Sequence, residues 1–122
     1  MIEGIELATA GAKFADEKQA EEIMVLNLEG LSSITDYFVI CTGSSLPHLR
    51  AIRNEIVDRF REDHELRPSS MEGQPESKWM VLDYGDVMFH IFHRDKREFY
   101  SLEDLWSDAP HEEWQGVVAE GG

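Results

Sequence analysis

Residues 79–92 read Trp79-Met80-Val81-Leu82-Asp83-Tyr84-Gly85-Asp86-Val87-Met88-Phe89-His90-Ile91-Phe92. Two β-prone runs flank Gly85-Asp86, the pattern of a tight β-hairpin with a glycine-led turn. Upstream, Pro68 to Ser77 contains Pro and Gly and reads as a loop. Further upstream, Thr35 to Thr42 (Thr-Asp-Tyr-Phe-Val-Ile-Cys-Thr) is nearly all β-branched or aromatic, as a central strand buried on both faces demands. Gly43-Ser44-Ser45 breaks that strand, and Ser44 or Ser45 can cap the next helix. There Leu49, Ile52, Ile56, Val57 and Phe60 form one stripe, with Arg50, Arg53, Asn54, Asp58 and Arg61 largely opposite. Before the central strand lie a helix over roughly residues 4–15 and a short strand from Glu22 to Leu28, closed by Gly30. After the hairpin, Arg97 to Trp106 puts Phe99, Leu102, Leu105 and Trp106 at helix-like spacing. The order predicts an α/β fold, a mixed β-sheet flanked by helices.

The chain has 122 residues, which fits one domain, expected over residues 1–108, with 109–122 as an acidic C-terminal tail frayed at its Gly-Gly end. Lys and Arg number 11 and Asp and Glu 25, a formal charge of −14. The excess is uneven: residues 1–30 carry −5, 31–60 carry zero, 61–90 carry −4 and 91–122 carry −5. A phosphate backbone repels such a chain, so direct, dominant nucleic-acid binding is excluded as an expectation, and a basic protein is the favoured kind of partner. The single cysteine, Cys41, rules out an intramolecular disulfide framework and a multi-thiolate zinc site. In the run Phe38-Val39-Ile40-Cys41 it reads as a small buried hydrophobe. The N-terminus lacks the charged and apolar regions of a signal peptide, and no apolar stretch is long enough to span a bilayer. The expected setting is cytoplasmic, with no membrane partner.

Candidate chemistry is sparse. Gly43-Ser44-Ser45 between strand and helix resembles a phosphate-holding corner, but a serine-capped turn explains it equally and more simply. Neither a Walker-type loop nor G-x-G-x-x-G is present. Asp83 and Asp86 could hold a metal in a nucleotidyl-transfer site. A glycine turn separates them, so turn-stabilising or partner-facing acids fit better. His90 and His93, three apart on a strand, point to opposite faces and form no ready chelate. His90 alternates with Met88 and Phe92 and reads as a hydrogen-bonded sheet residue. His48 has no Ser or Cys partner fixed by spacing. No catalytic residue, metal site or cofactor is assigned. The aromatics say more: Trp79, Tyr84, Phe99, Tyr100, Trp106 and Trp114 crowd the C-terminal half, interleaved with acids. Aromatic anchors with an acidic rim suit recognition of a basic protein surface.

Ser32-Ser33-Ile34-Thr35-Asp36-Tyr37-Phe38-Val39-Ile40-Cys41-Thr42-Gly43-Ser44-Ser45 resembles the signature of the Iojap family, the ribosomal silencing factors (RsfS). Glu72-Gly73, Trp79 through His90, and Arg97-Glu98-Phe99-Tyr100-Ser101-Leu102-Glu103-Asp104-Leu105-Trp106 are similar to the family's later blocks, in the same order. The resemblance covers about residues 5 to 108; Leu46-Pro47 departs from the more polar residues usual there. It implies a nucleotidyltransferase-like scaffold without the chemistry, often a homodimer. It also implies a non-enzymatic repressor that binds the fourteenth protein of the large ribosomal subunit. There such a repressor blocks joining of the small subunit when nutrients are short. Combined with the aromatic and acidic clustering, it places the partner contact on Trp79, Tyr84 and Tyr100 as anchors, with Asp83, Asp86, Glu103 and Asp104 facing Lys and Arg. Two other readings stand beside it: a small metal-dependent nucleotidyltransferase using Gly43, Ser44, Asp83 and Asp86, and a homodimeric adaptor for another basic protein.

Overall fold

A computed structural model describes residues 2–100 and 106–115, residues 98–100 through their backbone alone. The chain runs α1 (Gly4–Glu17), β1 (Glu21–Asn27), β2 (Tyr37–Gly43), α2 (Leu46–His64), β3 (Ser70–Glu72), a 3₁₀ turn (Pro75–Ser77), β4 (Trp79–Asp83), β5 (Val87–His93), α3 (Arg94–Tyr100) and β6 (His111–Glu112). The strands form one mixed sheet in the order β3-β4-β5-β2-β1-β6. β2 is buried at every position, as its run of apolar and β-branched residues requires. It pairs parallel to β5, from Tyr37 opposite Val87 to Gly43 opposite His93, and antiparallel to β1.

The hairpin closes β4 onto β5 antiparallel, with Trp79 opposite Phe92 and Asp83 opposite Met88. Gly85 takes φ +93°, a conformation that only glycine adopts freely, so the two strands can join through Gly85-Asp86 alone. Asp86 does a second job there. Its carboxylate accepts from Gly4 N at 2.6 Å, giving the first amide of α1 the acceptor that Glu3 does not provide and placing negative charge at a helix N-terminus. At the start of α2, Ser45 Oγ accepts from His48 N at 3.2 Å, and Leu49, Ile52, Ile56 and Phe60 form its buried stripe.

α1 and α2 cover one face of the sheet, packing with Val25, Val39, Cys41, Phe89 and Ile91. The second face gathers Leu26, Leu28, Phe38, Ile40, Phe92 and Ala109, with Trp79, Met88 and Trp106 against them. Among the described residues no helix is long and apolar enough to cross a membrane.

Three stretches differ from the sequence-based expectation. The expected loop Pro68–Ser77 contains β3, paired with β4; three exposed residues on a sheet edge have no apolar alternation to betray a strand. The closing helix begins at Arg94 rather than Arg97 because His93 Nδ1 accepts from Asp95 N at 3.1 Å. Its expected continuation lies at 101–105, outside the described residues. Within the stretch expected to be tail, β6 pairs with β1, Glu112 accepts from Asn27 Nδ2 at 2.9 Å, and Ala109 is buried.

A Cβ at Gly11 of α1 would collide with the ring of Phe89 and press on Phe60. Both rings are fully buried, so neither can swing away. Gly11→Ala is expected to destabilise by about 1–3 kcal/mol, despite the better helix propensity of Ala; urea unfolding followed by circular dichroism measures it. Burial pushes the Cys41 thiol up to about 12, so in the native protein Cys41 should resist thiol reagents and label only as the chain unfolds. Rapid native labelling would contradict that burial.

Candidate partner-binding site

Strand alternation decides which of the expected contact residues can act together. Along β4, Trp79, Val81 and Asp83 are half-buried while Met80 and Leu82 are buried, because successive side chains leave opposite faces. Tyr84 continues the buried set. It is 9% exposed, and its ring lies 5.1 Å from Phe60 and 5.5 Å from Phe89. Its hydroxyl has no hydrogen-bond partner among the described residues, and burial raises the phenol pKa. The expectation of Tyr84 as a surface anchor beside Trp79 is therefore corrected. The odd separation of the two residues sends their rings to opposite faces, and Tyr84 belongs to the core.

Trp79 faces the other side. Trp79, Val81, Met88 and His90 wall a groove of about 420 Å³, bounded toward the sheet edge by Glu72 and Gly73. Val81 sits opposite His90 and Glu72 in the register of the three strands. The Trp79 ring stacks on Phe92 at 5.2 Å, and its Nε1–H donates to His90 Nδ1 at 3.1 Å. An indole can only donate, so Nδ1 is the acceptor and the proton of the neutral imidazole sits on Nε2. Nε2 is buried without a hydrogen-bond partner among the described residues, and desolvation lowers the His90 pKa to about 4. His90 is thus a sheet residue held neutral that orients Trp79. His93 turns to the opposite face, as the spacing predicts.

Asp83 and Asp86 each hold backbone. Asp83 Oδ1 accepts from Gly85 N at 2.8 Å, and Asp86 Oδ2 accepts from the start of α1. Both stand at the turn end of the hairpin, with Asp83 on the same face as Trp79 and roughly 13 Å along the strand from it. Tyr100 is described by its backbone alone, and Glu103 and Asp104 lie outside the described residues. The structure therefore joins Trp79 and Asp83 on one face, puts Asp86 at the turn and removes Tyr84. Val81, Met88 and His90 were missed as groove residues, although the period of two in the hairpin sequence marks them. At the Gly43-Ser44 corner, His48 Nδ1 accepts from Ser44 N at 2.9 Å and Nε2 donates to Lys18 O at 2.7 Å. The corner is therefore occupied by the chain's own side chain.

A match to the family described as "Ribosomal silencing factor during starvation" spans residues 2–121. The chain belongs to this ribosomal silencing factor family. It is 46% identical over 99 residues to ribosomal silencing factor RsfS of Bacillus subtilis, covering 81% of this chain and 83% of that protein. Over 114 residues it is 38% identical to the RsfS of Halalkalibacterium halodurans, 93% of this chain and 97% of that protein. A crystal structure from Bacillus halodurans matches with a TM-score of 0.76 at 34% identity, over 90% of this chain and 99% of that one. One from Chromobacterium violaceum reaches 0.81 at 24% identity, over 87% and 88%, a likeness of fold.

Within this silencing-factor domain, His90 links stability to pH. The folded imidazole takes a proton only near pH 4, whereas an unfolded one does so near 6.5. Between those values the unfolded chain binds more protons, so stability falls as pH drops through that window. Relative to a His90→Phe variant, the protein is expected to lose about 3 kcal/mol more between pH 6.5 and 4. Urea unfolding across that range checks it, and parallel pH slopes for the two chains would refute it.

Proposed function

We propose that this chain is a ribosomal silencing factor that binds the large ribosomal subunit and sterically blocks the small subunit from joining, repressing translation under nutrient limitation. One observation carries the reading: the family match over residues 2–121, with RsfS proteins 46% and 38% identical over most of the chain. The partner in this reading is a basic protein of the large subunit, the fourteenth, on the face that meets the small subunit. The charge of −14 supports a protein partner rather than ribosomal RNA. The chain acts in the cytoplasm, as a homodimer when free.

Its mechanism is occlusion rather than catalysis. A nucleotidyl-transfer site needs two carboxylates converging on one metal-bound substrate, and Asp83 and Asp86 are instead directed to Gly85 N and Gly4 N. Trp79 supplies the aromatic anchor at the groove, and Asp83 and Asp86 face Lys and Arg of the partner with their remaining oxygens. Tyr100, Glu103 and Asp104 complete the contact from the closing segment. Burial of an aromatic at the centre of an interface commonly accounts for much of its affinity.

Co-sedimentation with separated large and small subunits, followed by a joining assay, tests the proposal. Binding to large subunits alone, with fewer joined ribosomes as protein is added, is the expected result. Trp79→Ala should weaken that binding by roughly 30-fold while far-ultraviolet circular dichroism stays native. A wild-type chain that binds neither subunit at moderate salt would overturn the function. Full binding by folded Trp79→Ala would overturn the anchor.

A further inference from the structure

The largest apolar exposures on one loop stand at the hairpin-turn end of the sheet. Ile34 is 75% exposed and Leu31 45%, both between β1 and β2. The loop is well tethered: Leu28 is fully buried, and the amides of Leu31 and Ser32 donate to its carbonyl at 2.9 and 3.0 Å. Ser32 Oγ accepts from Ile34 N at 3.1 Å, and Thr35 Oγ1 donates to Gly85 O at 3.3 Å. A single exposed Ile is ordinary, but this one is presented by a fixed backbone beside a hollow of about 310 Å³ between Ser33 and Asp36 on one side and Gly85 and Asp86 on the other.

Charge surrounds it unevenly. The segments meeting here, 2–6, 28–36 and 83–87, are joined by Gly4 N to Asp86 Oδ2 and by Asp36 N to Asp86 O. They carry Glu3, Glu6, Glu29, Asp36, Asp83 and Asp86, and no Lys or Arg. Among the described residues, none of the six forms an ion pair. A second copy docking here through a two-fold axis would set these carboxylates against their own equivalents, and a nucleic acid would meet the same repulsion.

We infer that this end is a docking surface for a basic protein, whose surface takes Ile34 into an apolar depression and places a Lys or Arg side chain in the hollow between Asp36 and Asp86. The inference rests on the reading of the chain as a binder of a basic large-subunit protein. It extends the contact along β4 from Trp79 to the turn and assigns Ile34 the anchoring role at that end that buried Tyr84 does not fill.

The test uses the full chain, fluorescently labelled, titrated with isolated large subunits at two salt concentrations. Ile34→Ser should weaken binding by at least about tenfold with native circular dichroism, since the side chain is three-quarters exposed. Asp36→Asn, whose carboxylate holds no backbone among the described residues, should weaken it a few-fold and flatten the salt dependence. Equal affinity of Ile34→Ser and wild type would overturn the docking surface while leaving the silencing function intact. A wild type that fails to bind would overturn that function and the surface together. If Ile34→Ser binds subunits normally but changes the dimer to monomer in sedimentation equilibrium, the apolar loop serves a second copy and the inference is wrong.

Discussion

The parallel ladder between β2 and β5 is the constraint to which the other elements answer. Parallel pairing forbids a tight turn, so the chain must cross over between these strands, and α2 occupies that crossover. β2 is buried along its whole length, which obliges the protein to find apolar cover for both of its faces. α1 and α2 supply it on one. On the other, Leu26, Leu28, Trp106 and Ala109 cover the β1–β2 half, while the β4–β5 half is left with an open groove at Trp79 and His90. Among the described residues, the candidate site is thus the place where a groove stays open, on a sheet rather than on a loop.

Polar groups at that rim are held by specific hydrogen bonds. The Trp79 indole is oriented from beneath by a neutral His90, and the hairpin turn is pinned to α1 through Asp86. The more conspicuous ion pairs, such as Arg59 with Glu17, Glu55 and Asp63, lie at the surface, partly open to solvent, and are worth little individually. Order at the recognition end comes from single hydrogen bonds between distant segments. Under the proposed function, a partner would meet a preformed surface at Trp79 and the turn, and little of its binding energy would be spent on ordering these described residues.

Much of this was legible in the residues. The hairpin, the doubly buried β2 and the stripe of α2 were readable because each has a strong period or a strong composition. β3 and β6 were not, since strands of three and two residues with no buried position owe their existence to a neighbour's free edge rather than to their own pattern. The site was half legible. Trp79 follows from its place in the hairpin, but grouping it with Tyr84 weighed composition above parity, and the alternation from Trp79 to Tyr84 already separates them. Ile34 was beyond reach, because Leu-Ser-Ser-Ile-Thr does not reveal whether the loop folds its aliphatic residues inward. That depends on Thr35 and Gly85 meeting across the fold.

The ladder also orders events in time. β2 ends at Gly43, and the strand it pairs with in parallel begins only at Val87. A ribosome making this chain therefore extrudes an almost wholly apolar ribbon, Phe38-Val39-Ile40-Cys41, well before its neighbour exists. Contacts of such sequence separation slow folding and leave edges unpaired meanwhile. The nascent chain thus passes through an interval in which β1 is the only strand available to β2, a window in which the same residues that give the finished sheet its cohesion would recruit chaperones or other nascent chains.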